Sequence, residues 1–142
     1  MNKLTSYLEL TRPLNNLITI FAVFIGAWIA GLSGYMDKLF FALLSGCLIS
    51  AGGYAINDYF DLEIDKINKP SRPLPQDKMR ARSALVFSII LFLTGIFVSL
   101  FIKNIAFILA VIAAALLIIY SYKLTRTPLF GNLLVSLVCG LA

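Results

Sequence analysis

Acidic residues are scarce in this 142-residue chain, and they are unevenly placed. Of the 7 Asp and Glu residues, four lie in one short run, Asn57-Asp58-Tyr59-Phe60-Asp61-Leu62-Glu63-Ile64-Asp65. At about 100° per residue on a helix, Asn57, Asp58, Asp61 and Asp65 share an arc of about 100°, and Glu63 points the opposite way. Three carboxylates on one face repel each other. A helix end before Pro70 adds the partial negative charge of the C-terminal dipole. A divalent cation relieves both. Oxygen-only donors suit a hard metal, Mg2+ first, which keeps several waters and uses one or two carboxylates together with substrate phosphates. The plain alternative is a solvated helix end with exposed acids.

Cations follow at once: Lys66, Lys69 and Arg72. A diphosphate needs metal on some oxygens and cationic donors on others. Lys69 and Arg72 are therefore candidate phosphate contacts, set against a role as anchors at the membrane surface. For Lys78, Arg80 and Arg82 the anchoring role is the expectation.

The elements that must position these groups are membrane spans. The chain is 60% hydrophobic and 13% charged, and a soluble domain carries roughly twice that charged fraction. Charge-free stretches run over Pro13–Met36, Leu39–Asn57, Ser83–Ile102, Asn104–Tyr122 and Thr127–Ala142. A helix needs about 20 apolar residues to cross the bilayer core, so the expected fold class is all-α, a polytopic transmembrane helical bundle. The spans fall at roughly 14–36, 39–60, 83–102, 104–122 and 129–142: four complete, and a fifth that stops with the sequence. The alternating short segments of a membrane barrel are absent. The first apolar stretch is too long for a signal peptide, and further spans follow it.

Residues 66–82 form the one long polar connection, and Pro70, Pro73 and Pro75 keep it from being a continuous helix. Ten of the 12 basic residues lie in the N-terminal segment, in this connection or after span four. The positive-inside rule then puts the N-terminus and the acidic cluster on the cytoplasmic side of a multi-pass cell-membrane protein. The net charge of +5 thus reports topology and gives no reason to expect a nucleic-acid partner. Cys47 and Cys139 sit in apolar stretches with no His or second Cys nearby, and they read as packing residues. Ala42, Gly46 and Ser50, followed by Gly52-Gly53, make a small-residue face for close helix packing in lipid.

The pattern Asn57-Asp58-x-x-Asp61-x-x-x-Asp65, followed by Asn68-Lys69-Pro70-Ser71-Arg72-Pro73-Leu74-Pro75, resembles the first Asp-rich motif of the UbiA-type intramembrane prenyltransferases. In that family the motif closes the second transmembrane helix on its cytoplasmic side. Arg12-Pro13-Leu14-Asn15-Asn16 is similar to the family's opening of helix one. Tyr120-Ser121-Tyr122-Lys123, with Gly131-Asn132 beyond, is similar to the end of helix four and the start of helix five. The resemblance implies nine helices and a second Asp-rich motif near helix six. No acidic residue follows Asp77 here, so the chain is expected to be either a fragment or one piece of a split protein, with the second motif on a C-terminal half, and this piece alone is expected to be inactive.

The resemblance further implies prenyl transfer from an isoprenoid diphosphate to a lipophilic acceptor, with Mg2+ as cofactor. Asp58, Asp61 and Asp65 would hold the metal, with Asn57 completing the catalytic set. Lys69, Arg72, Lys123 and Tyr120 would bind the diphosphate, and Arg12 and Asn16 would face the acceptor. Tyr54, Tyr59, Tyr120 and Tyr122 could shelter an allylic cation on their ring faces. Within the family the run from Asn57 to Pro70 is most similar to archaeal members that add a second geranylgeranyl chain to geranylgeranylglyceryl phosphate in ether-lipid biosynthesis. Chlorophyll-type or aromatic quinone-precursor acceptors are the alternative. A CDP-alcohol phosphotransferase is excluded because Leu62 stands where its motif needs Gly. A transporter or scaffold is the reading of another class, and the charge-free spans speak against it.

Overall fold

The computed structural model describes residues 3–29, 31 and 35–124, and the described residues are helical apart from short turns and the connection at 69–80. Helix α1 covers Lys3–Leu10 and α2 covers Pro13–Ile29. Arg12 separates them at φ +47°, and their axes differ by 47°. The residue before a proline is pushed out of the right-handed helical region, and proline itself fits the first turn of the next helix. The Arg-Pro pair therefore makes the elbow. The Thr11 hydroxyl donates to the Leu8 carbonyl at 2.8 Å and satisfies part of the end of α1.

Helix α3, Met36–Phe60, is the longest at 25 residues and the centre of the bundle. After a single turn residue, Asp61, the short helix α4 runs Leu62–Asn68. Helix α5 covers Ala81–Ser99 and α6 covers Asn104–Ile119, continuing into a π-helical turn at Tyr120–Leu124. Three helical stretches are long and apolar enough to span a membrane: Met36–Phe60, Ala81–Ser99 and Asn104–Lys123. The bent α1–α2 pair makes a fourth if it is taken as one span. At 17 residues, α2 is itself short for the task. Arg126 and the expected fifth span, with Gly131, Asn132 and Cys139, lie outside the described residues.

α3 and α5 run antiparallel in close contact. Two hydroxyls tie them reciprocally: Ser45 Oγ donates to the Gly95 carbonyl at 2.8 Å, and Ser88 Oγ donates to the Gly52 carbonyl at 3.0 Å. The missing side chains make this possible. A Cβ on Gly95 would stand 2.8 Å from Ile49 Cγ1 and 3.2 Å from the Ile49 backbone nitrogen. In lipid, where apolar burial gives little drive, such close approach and interhelical hydrogen bonds hold helices together. Gly95→Ala is expected to destabilise the bundle by roughly 1–3 kcal/mol through overpacking, read as a lowered unfolding temperature in detergent.

The inner core collects Ile49, Ile56, Phe92, Ala110 and Ala114 from α3, α5 and α6. A second cluster, Leu10, Leu74 and Ala84, joins α1, the polar connection and the start of α5. Tyr7 supports it by meeting Phe87 edge to face at 4.9 Å. Leu14, Ile18, Phe21 and Trp28 on α2 are exposed, as suits faces turned to lipid.

Candidate active site

The acidic run sits where α3 gives way to α4. The backbone hydrogen bonds continue through the turn, from Asp61 N–H to the Asn57 carbonyl at 2.9 Å and from Asp65 N–H to the Asp61 carbonyl at 2.7 Å. The helical phase of the cluster thus survives the break. Asp58 and Asp65 are each only 4% exposed. A buried carboxylate requires a partner, and both have the same one. Arg72 Nη1 donates to Asp58 Oδ1 at 3.0 Å and also to Asp65 Oδ2. The connection presents Arg72 because Leu74, two residues on, is sunk into the second core cluster.

Arg12 reaches the same carboxylate from the elbow between α1 and α2, and its Nη2 bonds Asp58 Oδ1. Its guanidinium also lies 5.0 Å from the centroid of the Tyr54 ring, a cation–π arrangement that fixes its plane. The sequence places Arg12 on the acceptor side; in the structure its guanidinium is on the acidic cluster. The pairing joins residues 46 apart. Its trace in the sequence is an arginine at the mouth of an apolar span.

Asp61 is half-buried and accepts a hydrogen bond from Asn57 Nδ2 at 2.8 Å. Burial pushes its carboxyl above the usual Asp range, against the hydrogen bond from Asn57, which favours the charged form. Glu63 is exposed and pairs with Lys66 at 2.7 Å, and that pairing pushes the lysine up. Glu63→Gln is expected to leave transfer activity within about twofold of wild type, because exposed pairs contribute little. A loss comparable to that of the buried acids would overturn the helical phase argued above.

Lys69 closes α4 with its N–H on the Asp65 carbonyl at 2.8 Å and is exposed. The turn carrying Tyr120, Ser121, Tyr122 and Lys123 lies at the same end of the bundle, with Tyr122 against Phe60 at 5.5 Å between ring centroids. Lys123 is exposed there and Tyr120 half-buried. Asn16 is buried on α2, donating to the Thr11 carbonyl at 3.0 Å. Its Oδ1 has no hydrogen-bond partner among the described residues.

Among the described residues no group of three or more Asp, Glu, His or Cys side chains is disposed as a metal cage. The donor chemistry nevertheless suits a hard cation. Asp58 and Asp65 offer oxygen alone, and both already converge on one positively charged nitrogen.

The described residues thus form a membrane helix bundle with paired, buried acids at the end of its second long apolar element. Residues 18–142 match the model of the UbiA prenyltransferase family, and the chain belongs to that family. Digeranylgeranylglyceryl phosphate synthase of Methanococcoides burtonii is 41% identical over 146 residues, covering 95% of this chain and 51% of the relative. The protein of the same name from Methanococcus aeolicus is 43% identical over 143 residues, covering 97% of this chain and 50% of the relative. A solved structure described by the words "biosynthesis of Digeranylgeranylglyceryl phosphate synthase in membranes" superposes with a TM-score of 0.93 at 39% identity. That match covers 99% of this chain and 51% of the other. The chain thus spans about half the length of the relatives it matches.

Proposed function

We propose that this chain supplies the first half of the active site of a geranylgeranyl transferase whose acceptor is geranylgeranylglyceryl phosphate. The observation that carries this reading is the network in which partly buried Arg72 and Arg12 meet the buried acids Asp58 and Asp65, in a chain about 40% identical to synthases named for that product. Mg2+, when bound, would neutralise the diphosphate and favour its departure.

The protein's own residues have separate tasks. Asp58, Asp61 and Asp65 would hold the cation, and Asn57 orients Asp61 through the hydrogen bond at 2.8 Å. Arg72, Lys69, Lys123 and Tyr120 would take the diphosphate oxygens that the metal leaves. Guanidinium groups suit this task because they present paired donors to phosphate oxygens. As the allylic C–O bond breaks, negative charge grows on the leaving group, and fixed cations are most useful there. Ring faces of Tyr54, Tyr59, Tyr120 and Tyr122 would shelter the allylic carbon from water. Asn16 would face the acceptor. A second Asp-rich motif on the C-terminal half would complete the metal site. By the positive-inside rule the site opens to the cytoplasm in the cell membrane.

The test is transfer by the complete protein in membranes with Mg2+. Labelled geranylgeranyl diphosphate would be offered with geranylgeranylglyceryl phosphate and, separately, with aromatic and chlorin acceptors. Product on the glyceryl phosphate alone supports the reading. Product on another acceptor moves the substrate, and no product on any acceptor from folded protein overturns it.

A further inference from the structure

Asp58 Oδ1 bonds two guanidinium groups at once, those of Arg12 and Arg72. Arg72 is simultaneously held by Asp65. The arrangement brings two like charges together, and the carboxylates between them, with the Tyr54 ring under Arg12, offset the repulsion. It also uses the lone pairs that Asp58 and Asp65 turn towards a common centre, which a divalent cation would need. The arginines arrive from two separate backbone segments, whose neighbours Leu10 and Leu74 pack in one cluster. Arg12 comes from a strained elbow at φ +47°, and Arg72 comes from a connection pinned by Leu74. Each has a backbone anchor beside the site and a long side chain that can turn without moving that anchor.

We infer that Arg12 and Arg72 are resident counter-ions that exchange partners on binding: they leave Asp58 and Asp65 as a divalent cation arrives, and they re-pair with the diphosphate that comes with it. The inference rests on the metal–diphosphate reading above and adds a rule to it, that neither ligand binds well alone. A cation alone must displace two arginines and strand them. A diphosphate alone meets arginines already neutralised by buried acids. Together, each ligand releases the partners that the other needs. The two bindings are therefore coupled, and by linkage the coupling is equal in both directions. Arg12 accordingly belongs with the diphosphate-side residues.

The experiment measures protein-bound Mn2+ by equilibrium dialysis on the complete protein in nanodiscs, with and without inorganic diphosphate, corrected for the complex formed in solution. In wild type, diphosphate is expected to tighten Mn2+ binding by about tenfold or more, within the usual range of coupling between sites. In Arg72→Gln, Mn2+ alone should bind about tenfold tighter than in wild type, and diphosphate should add little. Arg12→Gln should shift both quantities the same way by about fivefold, and it carries the test if Arg72→Gln does not fold. Equal or weaker binding of Mn2+ alone in these variants, with wild type still binding Mn2+ and diphosphate together, overturns the exchange and leaves the metal–diphosphate reading standing. Wild type that binds no Mn2+ under either condition overturns both.

Discussion

Asp61→Asn in the complete protein is expected to reduce transfer by roughly three orders of magnitude, the scale of losing several kcal/mol of metal-centred charge stabilisation. The protein should still insert and fold. The amide oxygen of the replacement can go on accepting the hydrogen bond that Asn57 donates to Asp61 at 2.8 Å, so the local structure has no cause to change. Stability should respond in the opposite direction to activity. Burial raises the Asp61 carboxyl above its usual range, so folding favours the protonated form. That preference is fully present below the unfolded value and is lost as pH rises through the folded one. A permanently neutral amide escapes the loss, and the variant should unfold at no lower a temperature than wild type at neutral pH. Any advantage should vanish under acid conditions. Unchanged turnover at saturating Mg2+ would remove Asp61 from the metal site.

The second large effect is on stability. Arg72→Met leaves Asp65 buried without its cation, while Asp58 retains Arg12. Breaking one side of a buried ion pair typically costs about 3–5 kcal/mol, because the remaining charge is stranded. A loss of roughly 3 kcal/mol is expected here, visible as a fall in unfolding temperature. Adding Asp65→Asn should restore most of it, since the stranded charge is then gone. If the double variant is as unstable as the single one, the cost lies in lost packing of the arginine stem. Both variants should lack transfer activity.

Sequence and structure meet most closely where the signal is local. Long charge-free stretches announce membrane helices whatever their partners, and the apolar core of α3, α5 and α6 follows from them. Phase arithmetic turns Glu63 outward, and Glu63 is exposed. Other features depend on what lies across the bundle. The Asp61 turn between α3 and α4 has no glycine or proline to mark it. The end of α2 at Ile29 falls inside a charge-free stretch, where Gly31 at φ +73° is the local mark of the turn. Arg12 on Asp58 is set by the antiparallel seating of α2 on α3, visible also in Thr19 Oγ1 against Ser50 Oγ at 3.1 Å, and no local pattern encodes that pairing. The small residues Ala42, Gly46, Ser50 and Gly52-Gly53 are legible as packing positions, but the structure divides them: Gly46 and Ser50 meet Val23 and Thr19 of α2, Gly52 meets Phe92 of α5 and Gly53 meets Leu117 of α6. The matching serines Ser45 and Ser88, one on each of α3 and α5, become evident only with both helices in place.

Those serines bear on the order of events during synthesis. A hydroxyl carried into hydrocarbon alone is costly, and Ser45 and Ser88 each find an acceptor only on the other helix. The two helices therefore gain by meeting as soon as α5 leaves the ribosome, before α6 is made. They would settle as a self-sealed hairpin, with the arginine-bearing connection joining them at one end. The acidic face of α3 would then already have Arg72 beside it while the remaining spans are still being threaded into the membrane.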